Sequence, residues 1–205
     1  MRFDALMLGY RVAAPNDVSA MCPDGLARVQ IRSFRPTEWE VYRDVRLAAL
    51  RDSPDAFGST YTLNSTFDDD VWRARLEGLA PDADFAIAAT TNDIVGGMAW
   101  VRITADEPDI AHLFQMWVAP EFRGQGVARR ILHAAIEWAQ RNGARTIELA
   151  VTIGASPARR LYETVGFEPV GEPEPLRDGS TLQVQPMALL IAGGAQHAPR
   201  WDPQT

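Results

Sequence analysis

Apolar and polar positions alternate along this chain with two different periods. From Ala27 to Phe34, Val29 and Ile31 fall on one face and Arg28 and Arg32 on the other, which predicts a half-buried strand. Pro36 and Thr37 open a helix predicted over 37–51, with Thr37 as its cap and Glu38 and Glu40 in its first turn. Trp39, Val41, Tyr42, Val45, Leu47 and Leu50 supply its apolar surface. Residues 53–59 read as loop, and a second helix is predicted from Asp68 or Asp69 to Gly78. Residues 84–90 and 94–103 predict a hairpin turning at Thr91-Asn92-Asp93, with a further strand over 110–118.

The clearest helical pattern runs from Val127 to Asn142. Val127, Ile131, Leu132, Ala135, Ile136, Trp138 and Ala139 recur at three- and four-residue steps against Arg129, Arg130, His133, Glu137, Gln140 and Arg141. Asn142-Gly143 ends it. A strand over 145–151 follows, with Ile147, Leu149 and Val151 on one face; Ser156-Pro157 then starts a helix that stops at Gly166. Residues 167–170 and 182–191 are the last predicted strands. The order is β-α-α-β-β-β-α-β-α-β-β, an α/β chain of the α+β kind in which a mixed sheet is covered by helices. The pattern is weak over residues 1–26, where Met1 to Arg11 fits a short strand or helix, and the Gly-, Pro- and Gln-rich residues 193–205 read as a tail. One domain is therefore expected over 27–192, between an N-terminal extension and that tail.

Composition narrows the function classes. Hydrophobic residues make up 46% of the 205, enough for a sizeable core, yet no apolar run approaches the ~20 residues of a membrane span. Asp4 interrupts the first apolar stretch, so no secretory leader is expected, and the expected compartment is the cytoplasm. Cys22 is the single cysteine, which excludes a disulfide within one chain and leaves a thiolate metal cluster unsupported. The net charge of −7 argues against a general nucleic-acid binder. Every basic residue is arginine and none is lysine, so the chain has no lysine side chain of its own to modify. No metal-site spacing occurs, with His133 on the polar face of its helix and His197 in the tail.

The stretch Val118-Ala119-Pro120-Glu121-Phe122-Arg123-Gly124-Gln125-Gly126-Val127-Ala128 carries the chemistry. A strand runs into a short Pro- and Gly-containing turn, and the turn into a helix that opens on small residues. Such a corner points free backbone N–H groups at one spot, which suits phosphate. A nucleotide-triphosphate loop is excluded because it needs a lysine. A dinucleotide fingerprint is excluded because Arg129 stands at the third glycine position, well along the chain. By local physics alone, a phosphate site and a plain strand–helix corner both remain open.

The second half of the pattern lies about thirty residues later. R-x-x-G-x-A at Arg123, Gly126 and Ala128 is followed by Ala158-Arg159-Arg160-Leu161-Tyr162-Glu163-Thr164-Val165-Gly166-Phe167. The pair closely resembles the cofactor motifs of the GNAT superfamily of N-acetyltransferases. Arg46-Leu47-Ala48-Ala49-Leu50 with Pro54-Asp55-Ala56-Phe57-Gly58-Ser59 resembles the acceptor-side region of many small bacterial members. The resemblance covers roughly Arg28 to Ile191.

It implies a central, mostly antiparallel sheet flanked by helices, and acetyl-CoA or a related acyl-CoA as donor. It implies that the backbone of Arg123, Gly124, Gln125, Gly126, Val127, Ala128 and Arg129 holds the pyrophosphate. Close approach of the phosphates would explain the glycines at 124 and 126. Arg130, Arg159 and Arg160 add local positive charge. By the same resemblance the strand Gln115–Val118 pairs with the pantetheine arm, with Met116, Trp117 and Val118 lining it. Tyr162 matches the tyrosine that protonates the departing thiolate in many members. Many members also have Asn where this chain has Ala155; Ser156 beside it is a partial substitute, and the lost hydrogen bond is worth roughly 0.5–1.5 kcal/mol of cofactor affinity.

The general base stays open among Glu107, Asp109 and His112. Asp55 and Asp68-Asp69-Asp70 are candidates to attract a cationic acceptor, the latter run reading first as a helix N-terminus. The expected activity is acetyl transfer to a primary amine on a small molecule, peptide or protein, by direct attack in a ternary complex. The expected partners are acetyl-CoA and that acceptor, without membrane or nucleic acid, and a homodimer is compatible with the sequence. A non-catalytic acyl-CoA-binding or sensor domain is the rival, motivated by Ala155 and the unassigned base. Acetylation of aminoacyl-tRNA is a third reading, disfavoured by the acidic balance.

Overall fold

Nearly all the predicted elements form, and three short ones join them. The computed structural model describes residues 11–12, 29–154 and 156–191. The strands are β1 (Arg11–Val12), β2 (Gln30–Ser33), β3 (Asp84–Thr91), β4 (Ile94–Ile103), β5 (Ile110–Val118), β6 (Thr146–Thr152), β7 (Glu168–Pro169), β8 (Glu174–Pro175) and β9 (Gln183–Leu190). The helices are α1 (Trp39–Asp52), α2 (Tyr61–Asn64), α3 (Asp69–Glu77), α4 (Val127–Arg141) and α5 (Pro157–Val165). β1, α2 and β8 are the additions, each too short for a periodic signal. The result is a mixed α/β fold with a central, mostly antiparallel open sheet flanked by helices.

The chain forms two compact units that share β3, β4 and β5 along their length. The first takes residues up to Leu79 with Ala86–Ala99 and Gln115–Ile131; the second takes Ala80–Phe85, Trp100–Phe114 and residues from Leu132 onward. In the first unit the strand order is β2-β3-β4-β5. β2 runs antiparallel to β3, with Ile31 opposite Ala89, and β1 adds in parallel to the start of β4. The β3–β4 turn puts Asn92 and Asp93 at positive φ (48° and 63°), as a tight hairpin of matching twist requires. Tyr42, Val45, Ala49 and Leu50 of α1, Trp72 and Leu76 of α3, Ile87, Val95 and Met98 are buried there.

In the second unit the order is β5-β6-β9-β7, with β8 also on β9. β5 and β6 are parallel, Ala111 facing Ile147, and α4 is the crossover that a parallel pair demands. β6 and β9 pair antiparallel from Thr146–Leu190 to Thr152–Val184. Its buried side chains include Leu132, Ala135, Ala139, Ile147, Tyr162, Phe167 and Met187. Asp84 accepts hydrogen bonds from Trp100 Nε1 at 2.9 Å and Arg102 Nε at 2.6 Å.

One helix start differs from expectation, and another forms where expected with its acids differently engaged. Thr37 does not cap α1: a 3-10 turn over Pro36–Glu38 precedes the helix, and Glu38 closes that turn by accepting from the Arg35 N–H at 2.8 Å. The longer glutamate reaches back across three residues and outcompetes the threonine hydroxyl. At α3, Asp68 is the N-cap residue but makes no cap hydrogen bond. Asp69 and Asp70 instead pair with Arg43 (3.0 Å) and Arg73 (2.5 Å). Of the expected N-terminal extension, β1 lies within the described residues; Cys22, Ala27, Arg28, Ala155, His197 and the tail lie outside them.

Candidate functional site

In the first unit, β5 ends at Val118 and passes through a 3-10 turn, Pro120–Phe122, into the corner that opens α4. Phe122 seats this turn. Its ring lies so close over Gly96 of β4 that a Cβ there would stand 2.6 Å from it. The Ala119 N–H donates to the Gly96 carbonyl at 2.9 Å, fixing the strand end beside the turn. Gly124 and Gly126 then take φ of 73° and 75°. A Cβ at either would meet nothing within 4 Å, so the protein itself does not crowd them. Their left-handed backbone is what calls for glycine, at a cost of roughly 1–2 kcal/mol for other residues.

The consequence is a run of unanswered donors. The first N–H after the corner with a backbone acceptor is that of Arg130, which donates to the Gly126 carbonyl at 3.1 Å. Among the described residues, none of the N–H groups of Gly124, Gln125, Gly126, Val127, Ala128 or Arg129 makes a hydrogen bond of good geometry to a backbone carbonyl. They stand at the positive end of a helix running from Val127 to Arg141, where an anion is favoured. A diphosphate has the charge and acceptor oxygens to fill them.

Arg123 serves the corner differently. Its own N–H is taken by the Pro120 carbonyl at 3.2 Å. Its Nε donates to the Val118 carbonyl at 3.0 Å, and its Nη2 pairs with Asp52 at the end of α1. Asp52 also accepts from Trp117 Nε1 at 2.9 Å and from the Ser53 hydroxyl at 2.7 Å. Burial pushes the Asp52 carboxyl up, but the donors from Ser53, Trp117 and Arg123 together hold it below the ordinary carboxylate value. The arginine of the motif is thus a clamp between strand end, loop and helix. Gln125 Nε2 adds a bond to the Glu121 carbonyl at 2.8 Å. Arg129 is exposed, and Arg130 Nη1 donates to the Val29 carbonyl at 3.3 Å.

Of the strand residues, Trp117 and Val118 are buried and Met116 half-buried. Gln115, just before them, has φ 58°, unusual inside a strand, and its Oε1 accepts from the Tyr42 hydroxyl at 2.9 Å. Tyr42, Asp52 and Gln115 escaped sequence reasoning because their partners are distant in the chain. The only signals were the place of Tyr42 among the apolar positions of its helix and of Gln115 in its strand.

In the second unit, Tyr162 sits on α5, 7% exposed, with its ring 5.8 Å from that of Phe167. Ser156 caps this helix, its hydroxyl accepting from the Arg159 N–H at 3.1 Å. Burial pushes the Tyr162 phenol up to about 12, so it remains a protonated donor at neutral pH. Arg159 pairs with Glu163 at 2.8 Å. Of the base candidates, Glu107 and His112 face each other at 3.2 Å, while Asp109 is exposed and lends its carbonyl to the N–H groups of Arg145 and Thr146. Asp55 is exposed in the first unit, and His133 is exposed on α4. Among the described residues, no group of three or more His, Cys, Asp or Glu could hold a metal ion, and no helix is long and apolar enough to cross a membrane.

Known proteins share the fold and the family of this chain. Solved structures with the same fold include a GNAT-family acetyltransferase from Streptococcus pneumoniae (TM-score 0.68, 22% identity, 80% of this chain and 100% of that one). Another is yncA from Salmonella typhimurium, described with acetyl-CoA (TM-score 0.66, 20% identity, 82% and 96%). Curated relatives include a mycothiol acetyltransferase from Thermobispora bispora, 26% identical over 77% of this chain and 52% of that protein. A ribosomal protein bS18-alanine N-acetyltransferase from Haemophilus ducreyi is 36% identical over 40% and 59%. The chain spans only about half the length of these two relatives. The family model for GNAT acetyltransferases matches residues 46–167, more than half of the chain, with both the Arg123–Ala128 corner and Tyr162 inside it. The chain therefore belongs to the GNAT acetyltransferase family.

Proposed function

We propose that this protein transfers an acetyl group from acetyl-CoA to a primary amine by direct attack in a ternary complex. The observation that carries the reading is the run of unanswered N–H groups from Gly124 to Arg129 at the head of α4, which fits a diphosphate. Family membership supplies acetyl-CoA as the diphosphate-bearing donor. Met116, Trp117 and Val118 would line its pantetheine arm, and the clamp of Arg123 on Val118 and Asp52 would keep strand and loop in register.

The transfer needs three proton movements. The ammonium loses one proton to solvent before its nitrogen attacks the thioester carbonyl, and the nitrogen loses a second to solvent as the amide forms. As the carbon–sulfur bond breaks, the sulfur leaves with the electron pair and takes a proton from the Tyr162 hydroxyl, which is then replenished from solvent. A phenol pushed up to about 12 is protonated at working pH, as a general acid requires. The amines named for relatives, such as the ribosomal protein alanine of the Haemophilus ducreyi protein, fit this chemistry.

The test is release of free CoA thiol from acetyl-CoA across a panel of amines, with acetyl-CoA binding measured separately. Binding with amine-dependent release is expected. Binding without release for any amine would favour an acyl-CoA-binding domain, and no binding would remove the reading.

A further inference from the structure

Two charged side chains are buried among the described residues of the first unit, and they are treated differently. Glu38, 6% exposed, accepts from Arg32 Nη1 and Nη2 at 2.7 and 2.9 Å and from the Arg35 N–H at 2.8 Å. This is how a structural buried charge is satisfied: an opposite charge in a two-point fork plus a backbone donor. Arg46, 3% exposed, has no such set. Its Nη2 donates to the Ser59 hydroxyl at 2.8 Å, and its guanidinium lies 4.5 Å from the centre of the Phe57 ring. Nε and Nη1 are buried without an acceptor. The ionisable groups around it are the Tyr42 phenol and the Arg75 guanidinium, and none is a carboxylate. Arg75 lies over the rings of Phe67 and Trp72.

A buried cation beside a second cation destabilises the protein that holds it. Burial pulls the Arg46 guanidinium down to about 10, with Tyr42 opposing the shift and Arg75 adding a smaller repulsion, so it is still charged at neutral pH. Both forks of a guanidinium, Nε with Nη2 and Nη1 with Nη2, here have an unfilled member. Their natural complement is a carboxylate.

The position of Arg46 matters as much as its charge. It lies one turn after Tyr42 on the same face of α1, and Tyr42 is hydrogen-bonded to Gln115 of β5. Gln115 directly precedes the strand residues assigned above to the donor's pantetheine arm. We propose that Arg46, seconded by Arg75, anchors a carboxylate on the acceptor, so that the substrate is an amine bearing a free carboxylate, of the α-amino-acid class. This rests on the acetyl-transfer reading. The segment Phe57–Ser59, held on the guanidinium by one neutral hydrogen bond and a ring face, is displaced as the carboxylate enters.

The experiment compares L-amino acids with their carboxamides as acceptors, for wild type, Arg46→Met and Arg46→Lys. A charge-assisted fork predicts a wild-type preference for the free carboxylate of about 10- to 100-fold in kcat/KM. That ratio is expected to fall toward one in Arg46→Met and to recover in part in Arg46→Lys. Equal use of acid and amide by the wild type overturns the carboxylate anchor and leaves acetyl transfer standing. Failure of every amine, with acetyl-CoA bound, counts against acetyl transfer instead. The anchor is then judged by thermal shift with N-acetyl amino acids and their amides. A carboxylate-specific rise in Tm, absent in Arg46→Met, supports it, and no difference between acid and amide overturns it. Arg46→Met alone is expected to melt no lower than wild type, because it removes an unpaired charge and keeps apolar contact with Phe57. A large drop in Tm in Arg46→Met, with the wild-type acid-to-amide ratio kept in that variant, would make Arg46 a structural residue and sink the proposal.

Discussion

The head of α4 and the inner face of α1 both present positive hydrogen-bond donors, but they are built from different parts of the chain. At α4 the donors are backbone N–H groups, exposed by a corner that needs only positive φ at Gly124 and Gly126. Along α1 the polar work is done by side chains: Tyr42 on Gln115, Arg46 on Ser59, Asp52 on Trp117 and Arg123. A backbone site tolerates many sequences and suits a group common to all users, here the proposed diphosphate. A side-chain site depends on particular residues and suits the part of the reaction that differs between enzymes. On the proposed function, the donor end of the chemistry is general and the acceptor end individual.

Tyr162→Phe tests the one donor-side step that depends on a side chain. It should lower kcat by about 100-fold or more while leaving KM for acetyl-CoA within a few-fold, since general acids contribute about 10²–10⁴. An unchanged kcat would remove the thiolate-protonation role. Gly126→Val forces a β-branched residue into left-handed backbone. It should raise KM for acetyl-CoA by about tenfold, from a strain of roughly 1–2 kcal/mol, with little effect on the acceptor KM. Equal effects on both KM values would blur the division between the two regions.

The Asp52–Arg123 clamp joins the regions and should be the weaker lever. Both partners are partly exposed, so Asp52→Asn should cost no more than about 1 kcal/mol in urea unfolding at neutral pH. Its pH dependence has a definite sign. The native carboxyl is held below its unfolded value of about 3.9, so the stabilisation is complete above that pH and is lost as pH falls through the native value. Wild type and Asp52→Asn should therefore differ at pH 7 and converge in strong acid. Tyr162 behaves in the opposite sense. Its phenol is raised to about 12, so its contribution is complete below the unfolded value of about 10 and is lost as pH rises toward 12. The difference in tyrosinate absorbance between wild type and Tyr162→Phe should titrate near the upper value, and titration near 10 would show a phenol open to water.

Much of the fold was legible because its elements carry strong local signals. The seven-residue apolar set of α4, the period-two faces of β6 and the Ser156-Pro157 start of α5 each appear where the pattern puts them. The short elements β1, α2 and β8 were not legible, since each owes its form to pairing or packing beyond its own few residues. The start of α1 went to Glu38 rather than Thr37 because a buried carboxylate with Arg32 to pair it makes the better closure of the turn. The corner at 123–128 was legible as a strand–turn–helix with open donors, yet the left-handed backbone at its glycines was not. Positive φ at Gly124 and Gly126 is a demand of the backbone itself, beside the close approach of phosphate that the sequence suggests.

Sequence alone determined the order of the elements, the strand–corner–helix that leaves donors unpaired, and the presence of a phenol on the last helix. These depend on periods, glycines and caps, all of which act over a few residues. Tertiary structure decided which charges are answered. Arg32, Arg46 and Arg123 look alike in the chain, yet one satisfies a buried glutamate, one clamps a loop and one lies buried with two donors empty. Burial and the approach of partners tens of residues away set the energy of a charge, and neither is written in its neighbours along the chain.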